Sequence, residues 1–219
     1  MRMSSWSSTL RWRLQKLGLA AYRRSLVFYC LQPPEKSSAP ALPEGFEFRA
    51  LEAADLEPLH YPGGWLSLDE ARQWLERGDS DLCAIIRGDR ICACLWLERH
   101  IARIDYLDLH APLPDSHGYI SKVLVTREWR RHGLARAMYE AVAARGPWRV
   151  LHSACVPWNE PMHRLFAQLG WRRRLVITSW KLPGLQWFDI RPLPGGDTAR
   201  FLSPERAAEA LFAVREERP

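Results

Sequence analysis

The stretch Val125-Thr126-Arg127-Glu128-Trp129-Arg130-Arg131-His132-Gly133-Leu134-Ala135 decides how this chain folds. Upstream, Tyr119 to Val125 is a β-favouring run that predicts a strand, and downstream Leu134 to Ala144 predicts a strong helix. The junction leaves the first backbone N–H groups of the helix without intrahelical partners, and the helix dipole adds positive potential at the same place. A phosphate group suits such a junction. Gly133 lets the backbone approach a ligand closely, Ala135 leaves room beside it, and Arg130, Arg131 and Arg136 supply cationic charge. Taken alone, a glycine among arginines at a helix start equally describes a capped and solvated helix terminus.

Working outward, the body of the chain alternates strand and helix patterns. Phe46 to Leu51 predicts a strand, Ala53 to Leu59 a short helix, and Ser67 to Arg77 a helix capped by Ser67 with Glu70 three residues on. Leu82 to Arg87 and Ile91 to Leu97 predict a hairpin about Gly88-Asp89-Arg90. After the central strand and helix come a strand over Arg149 to Cys155, a helix over Pro161 to Leu169, and a hairpin of Arg174 to Trp180 with Leu185 to Ile190. This order predicts a mixed α/β (α+β) domain of about seven strands and about four helices.

The ends read differently. Leu10, Leu14, Leu17 and Ala21 recur at helical spacing, so residues 8 to 29 predict a basic amphipathic helix. It either lies on an anionic membrane or acidic partner, or packs on the domain with its arginines solvated. Residues 1–34 form this N-terminal extension, 35–44 a Pro/Ser-rich linker, 45–190 the domain, and 191–219 a tail with a short helix.

Charge and composition narrow the function. The formal charge is +6, and residues 1–34 hold Arg2, Arg11, Arg13, Lys16, Arg23 and Arg24 with no acid, so the body is formally neutral. A nucleic-acid enzyme would carry its charge on the folded body, which argues against nucleic acid as a partner. The five cysteines show no Cys-x-x-Cys pairing or His cluster, which argues against a disulfide framework and a metal site and for a reducing cytoplasm. No apolar run is long enough to span a bilayer, and no secretory signal is evident. The expected location is cytoplasmic, with residues 1–34 a candidate for peripheral membrane contact.

The quoted stretch resembles the cofactor loop of the GNAT superfamily: a strand-final Val, a turn with an aromatic residue, then Arg/Gln-x-x-Gly-x-Gly/Ala. Asn159, Phe166 seven residues later, and Gly170-Trp171 look like that family's next element. The resemblance covers roughly residues 45 to 190 and implies the GNAT fold, with acetyl-CoA or another acyl-CoA as co-substrate and no metal.

By residue-wise carry-over, the Val123 backbone N–H polarises the thioester carbonyl and Val125 pairs with the pantetheine arm. Backbone amides of Arg131, His132, Gly133, Leu134, Ala135 and Arg136 hold the pyrophosphate, with Arg130 beside them. Asn159 contacts the pantetheine or, as a residue just before Glu160-Pro161, caps the next helix. The resemblance implies acyl transfer to a primary amine on a small molecule or protein. Longer-chain transfer to a membrane or envelope precursor, and non-catalytic acyl-CoA binding, are the alternatives.

Two positions depart from the family. Phe166 stands where many members carry a Tyr general acid, and Tyr119 where some carry a Glu base. The candidate substitutes are Tyr119 itself, Ser121 on the same strand face, and His163 near the acid position. Cys155 reads as a buried structural cysteine sooner than a nucleophile. Asp105, Asp108 and His110 line the acceptor cleft or form a polar loop, and Trp65 either stacks on an acceptor or closes the core.

Overall fold

The computed structural model describes residues 22–34, 40–62, 66–193 and 198–213. Its strands in chain order are β1 (Tyr22–Leu31), β2 (Glu47–Leu51), β3 (Ser80–Arg87), β4 (Arg90–Glu98), β5 (Ile101–Ile104), β6 (Leu109–Pro112), β7 (His117–Val125), β8 (Val150–Cys155), β9 (Arg172–Leu182), β10 (Leu185–Pro192) and β11 (Ala199–Leu202). Four helices join them among the described residues: α1 (Leu68–Glu76), α2 (Leu134–Arg145), α3 (Glu160–Gln168) and α4 (Pro204–Ala213). Nine strands form one sheet in the order β11-β10-β9-β1-β8-β7-β4-β3-β2, and β5 and β6 form a separate pair.

Most strand pairs are antiparallel, as hairpin connections allow, but β7 and β8 run parallel. Two parallel neighbours need a crossover, and α2 supplies it. Helices α2 and α3 cover one face of the sheet, where Leu134, Met138, Tyr139 and Phe166 meet Leu95, Ile120 and Leu151. The other face is divided. Near β2–β4 it is covered around Leu56, Ala71 and Trp96, and near β1, β9 and β10 around Leu107, Ala111, Ala207 and Leu211.

The predicted helix over residues 8 to 29 is overturned where it can be seen. Leu10, Leu14, Leu17 and Ala21 lie outside the described residues, but Tyr22–Leu31 is a strand inserted between β8 and β9. Leu26 to Cys30 are buried in succession because both faces of the sheet are covered here. A strand buried on both faces loses its period-two signature, and the upstream leucines supplied a helical one. The expected seven strands fall short for a related reason: β1, β5, β6 and β11 are absent from the sequence reading. Three of these are only four residues long, too short for a periodicity to register.

The α1 capping box is as the sequence predicts, with Glu70 N–H donating to Ser67 Oγ at 3.3 Å and Glu70 Oε2 accepting from Ser67 N–H at 2.8 Å. The β3–β4 hairpin also forms as predicted.

Candidate acyl-transfer site

β7 and β8 pair from His117↔Val150 to Ile120↔Ser153 and no further, although β7 continues to Val125 and β8 to Cys155. The sheet therefore opens along the C-terminal half of β7. On the other edge β7 stays with β4, but the register shifts between Cys94↔Leu124 and Trp96↔Ser121, so Lys122 and Val123 together oppose Leu95. This is a β-bulge, with Lys122 in the left-handed region at φ 49°. A bulge leaves its extra residue outside the ladder and sharpens the local twist. Ser121, Val123 and Val125, singled out from the sequence, all lie on this unpaired stretch.

Beyond Val125 the chain turns through a short 3-10 segment at Arg127–Trp129 and enters the loop Arg130 to Gly133. Arg131 at φ 67° and Gly133 at φ 77° are both left-handed, flanking His132, and such alternation curves successive amides into a concave cradle. Gly133 is the N-cap of α2 and offers no side-chain bond, so the N–H groups of Leu134, Ala135 and Arg136 lack a side-chain cap. Arg130, Arg131, His132 and Gly133 are exposed, while Leu134 is buried and anchors the helix start. Nothing lies within 4 Å of where a Gly133 Cβ would sit, leaving open space above the loop.

Side chains brace this loop. Arg130 Nε donates to Val125 O at 3.3 Å, and His132 Nδ1 sits 3.0 Å from Arg130 O. Arg136 donates to Gln168 Oε1 at 2.6 Å and approaches Glu140 at 3.6 Å, so its charge is shared with α3 and its own helix.

The second motif resolves into structural roles. Asn159 caps α3, its Oδ1 accepting from Met162 N–H at 3.4 Å, with Pro161 in the first turn. Phe166 is a core residue and not a lining one: it is fully buried, with ring centroids 4.4 Å from Tyr29, 5.2 Å from Trp171 and 5.4 Å from Tyr139. His163 is also buried. Its Nε2 lies 3.0 Å from Pro157 O, which can only accept, so Nε2 carries the proton and Nδ1 accepts from Tyr29 Oη. Arg173 Nε donates to the same phenol oxygen at 3.1 Å. Cys155 Sγ lies 3.4 Å from His163 Nδ1, and burial pushes its thiol up to about 11, which leaves it neutral.

Tyr119 packs as a core residue. It is buried against Phe28, with centroids 6.3 Å apart, and burial raises its phenol well above the usual range. The carboxylate comes from the next strand: Glu98 ends β4 directly opposite Tyr119. Glu98 is completely buried, accepts from Ser121 Oγ at 2.6 Å through Oε1 and from the Arg103 N–H through Oε2. Lys122 Nζ stands 4.0 Å from Glu98 and 2.8 Å from Asp105. Burial pushes the Glu98 carboxyl up to about 7, against the opposing pull of these donors and cations.

Trp74 floors the cluster, with Lys122 Nζ 4.2 Å and the Arg103 guanidinium 4.7 Å from its ring. Sequence reading missed Glu98 because it closes the apolar run Ile91 to Leu97 as an ordinary strand end would. Its one signal is that a carboxylate there must either leave the sheet or find buried donors.

Of the other acceptor candidates, Asp105 joins this cluster. Asp108 instead accepts from Tyr22 Oη at 2.7 Å and Lys181 Nζ at 2.9 Å, and His110 is exposed on β6. Trp65 lies outside the described residues. Among the described residues no group of three or more His, Cys, Asp or Glu is placed to hold a metal ion. A cavity of about 480 Å³, lined by Asp81, Arg99, His117, Arg145 and Trp148, lies at the start of β7 and the end of α2. It is thus at the opposite end of these elements from the loop.

The opened parallel pair, the bulge and the α2 terminus lie on or beside the stretch whose residues carried the resemblance to one superfamily. Residues 48–171, more than half of the chain, match the acetyltransferase (GNAT) family, and the chain belongs to it. No curated protein matches it in sequence. Among solved structures, a Drosophila protein has 20% identity and a TM-score of 0.50, over 80% of this chain and 56% of its own. A GNAT-family protein from Novosphingobium aromaticivorans has 20% identity and a TM-score of 0.50, over 74% of this chain and 65% of its own. The likeness is one of fold, and the chain spans less than two thirds of either neighbour.

Proposed function

We propose that this protein transfers an acetyl group from acetyl-CoA to a primary amine of a small molecule or protein by direct attack. The observation that carries the reading is the sequence of three features along one stretch: a β7 edge that leaves β8 at Ser121–Val125, a bulge at Lys122–Val123, and a glycine-capped helix start whose amides have no side-chain cap. An extended amide-bearing arm fits the first, and a pyrophosphate the last.

Bound acetyl-CoA supplies an activated acyl carbon and a thiolate leaving group. The Val123 backbone N–H, at the bulge, donates to the carbonyl oxygen as negative charge develops there, favouring the transition state over the ground state. Amides of Arg131 to Arg136 and the Arg130 charge hold the diphosphate.

Ser121 and Glu98 form the acceptor-side base. Ser121 Oγ accepts a proton from the incoming ammonium as it passes its own to Glu98, whose pKa near 7 matches the task at neutral pH. Neither Tyr119 nor His163 takes part in these steps: the first is a buried phenol and the second is held by Tyr29 and Pro157.

Calorimetric titration with acetyl-CoA and longer acyl-CoAs, followed by thiol-release assays over an amine panel, tests the reading. Micromolar acetyl-CoA binding with amine-dependent thiol release is the expected result. Absence of binding to every acyl-CoA overturns it, and binding without release for any amine leaves a binding protein.

A further inference from the structure

One surface lies outside the acyl-transfer site and has no role in the core. Leu182 and Leu185 pair at the tip of the β9–β10 hairpin and are 42% and 58% exposed. Next along the same face stand Trp180 and Trp187, also paired, with parallel rings whose centroids are 6.3 Å apart. Phe201 continues the row at 6.4 Å and is 76% exposed, and the Arg23 guanidinium lies 4.9 Å over Trp180 at the other side. Phe188 and Ile190 point to the opposite, covered face, as strand alternation requires.

Phe201 is held outward at a cost. Its φ of 55° is left-handed, which is unfavourable for a bulky residue, and its N–H donates to Asp189 Oδ1 at 3.1 Å. Asp189 Oδ2 accepts from Trp180 Nε1 at 3.0 Å, so this carboxylate is occupied by two donors within the row. Around the tip the cations are Arg23, over Trp180 on this face, Arg200 on β11, and Arg24 and Lys181 on the reverse of the strands, where Lys181 is paired with the exposed Asp108. The chain enters this region at Tyr22, paired with Lys181 one residue from Leu182, and the 21 residues before it contain Arg2, Arg11, Arg13 and Lys16 with no acid.

We propose that the β9–β10 hairpin and β11 form a docking surface for an anionic lipid bilayer. Exposed leucine and phenylalanine, flanked by tryptophans and with arginine and lysine around the hairpin tip, are the side chains that partition into a headgroup region carrying negative charge. A neutral protein partner would not call for these cations, nor for a run of chain free of acid arriving at them. Topology adds a consequence. β1 runs antiparallel to β8 with Val27 beside Cys155, so the hairpin tip lies at the end of the sheet where β7 and β8 part. Docking turns that end toward the membrane, where an amine-bearing lipid or envelope precursor would be met.

The full-length protein is mixed with phosphatidylcholine vesicles with and without phosphatidylglycerol, and association is read by co-sedimentation. Binding at least about tenfold tighter to the anionic vesicles, weakened by salt, is expected. The double variant Leu182→Asp/Leu185→Asp should lose at least about tenfold in that association while keeping its thermal midpoint and its acetyl-CoA affinity. Equal binding to both vesicle types overturns the proposal, as does a double variant that binds like wild type. So does a dimer, seen by ultracentrifugation, that the double variant disperses while the wild type ignores vesicles, which would assign the face to a second copy. None of these readouts requires turnover, so failure here is separate from failure of the acyl-transfer reading.

Discussion

Glu98 and Tyr119 stand opposite one another across the β4–β7 ladder. Comparison with the family placed a Tyr where some members have a Glu, and the neighbouring strand brings a Glu to the same level of the sheet. The carboxylate reaches Ser121, on the same face of β7 as Tyr119 and the first β7 residue past the last β8 pair.

Glu98→Gln should therefore lower kcat by about 10²- to 10⁴-fold with acetyl-CoA affinity unchanged. Wild-type kcat/KM should rise with pH through about 7, and that limb should vanish in the variant. Ser121→Ala should fall between the two. A Glu98→Gln enzyme that keeps the limb assigns the titration to another group.

Stability should show the same carboxyl with a definite sign. A pKa raised to about 7 means that the folded state holds the proton more tightly, so this stabilisation is full below about pH 4.5 and is lost as pH rises through 7. His152 acts oppositely. Buried beside His117, it is pushed down to about 3, so its unfolded form takes the proton first and stability falls as pH drops below about 6.5. The two slopes oppose each other between about pH 4.5 and 6.5. In Glu98→Gln, stability should climb with pH across that window by up to about 1.4 kcal/mol per unit relative to wild type, measured by urea unfolding. Parallel curves would show that Glu98 does not titrate there.

Gly133→Asp should reduce acetyl-CoA affinity at least about a hundredfold, because it sets a carboxylate on the amide cradle and opposes the dipole. The fold should lose only about 1–2 kcal/mol, the cost of a side chain at φ 77°, since the added Cβ meets nothing within 4 Å. Calorimetry and a thermal melt on the same sample check both halves.

Phe166→Tyr restores the family's usual side chain without restoring its chemistry. The ring is enclosed by Tyr29, Tyr139 and Trp171, so a new hydroxyl must be desolvated there, costing about 1–3 kcal/mol. Turnover should not rise. A clear gain in kcat would show that this position reaches the leaving thiolate.

The local features are legible in the amino-acid sequence. The strand to Val125, the glycine at the start of α2, the Ser67 capping box and the Asn159 cap all rest on interactions spanning a few residues, and backbone chemistry at that range is written in the order of side chains. Gly133 and Ala135 leave the backbone of the loop open to close approach, which larger side chains would block.

Tertiary structure decided the rest. Tyr22–Leu31 entered the sheet as an inner strand because two covered faces make a continuous apolar run as favourable as an alternating one, and periodicity is silent about such runs. Tyr119, Phe166 and His163 were read as site residues from their positions in a motif, but burial against Phe28 and Tyr29, from a strand far along the chain, and against the nearby Trp171 made them core. Glu98 became the candidate base only when β4 and β7 were laid side by side. The loop is specified by neighbours in sequence, whereas the chemistry of a buried carboxylate depends on which distant donors and apolar walls the fold brings around it.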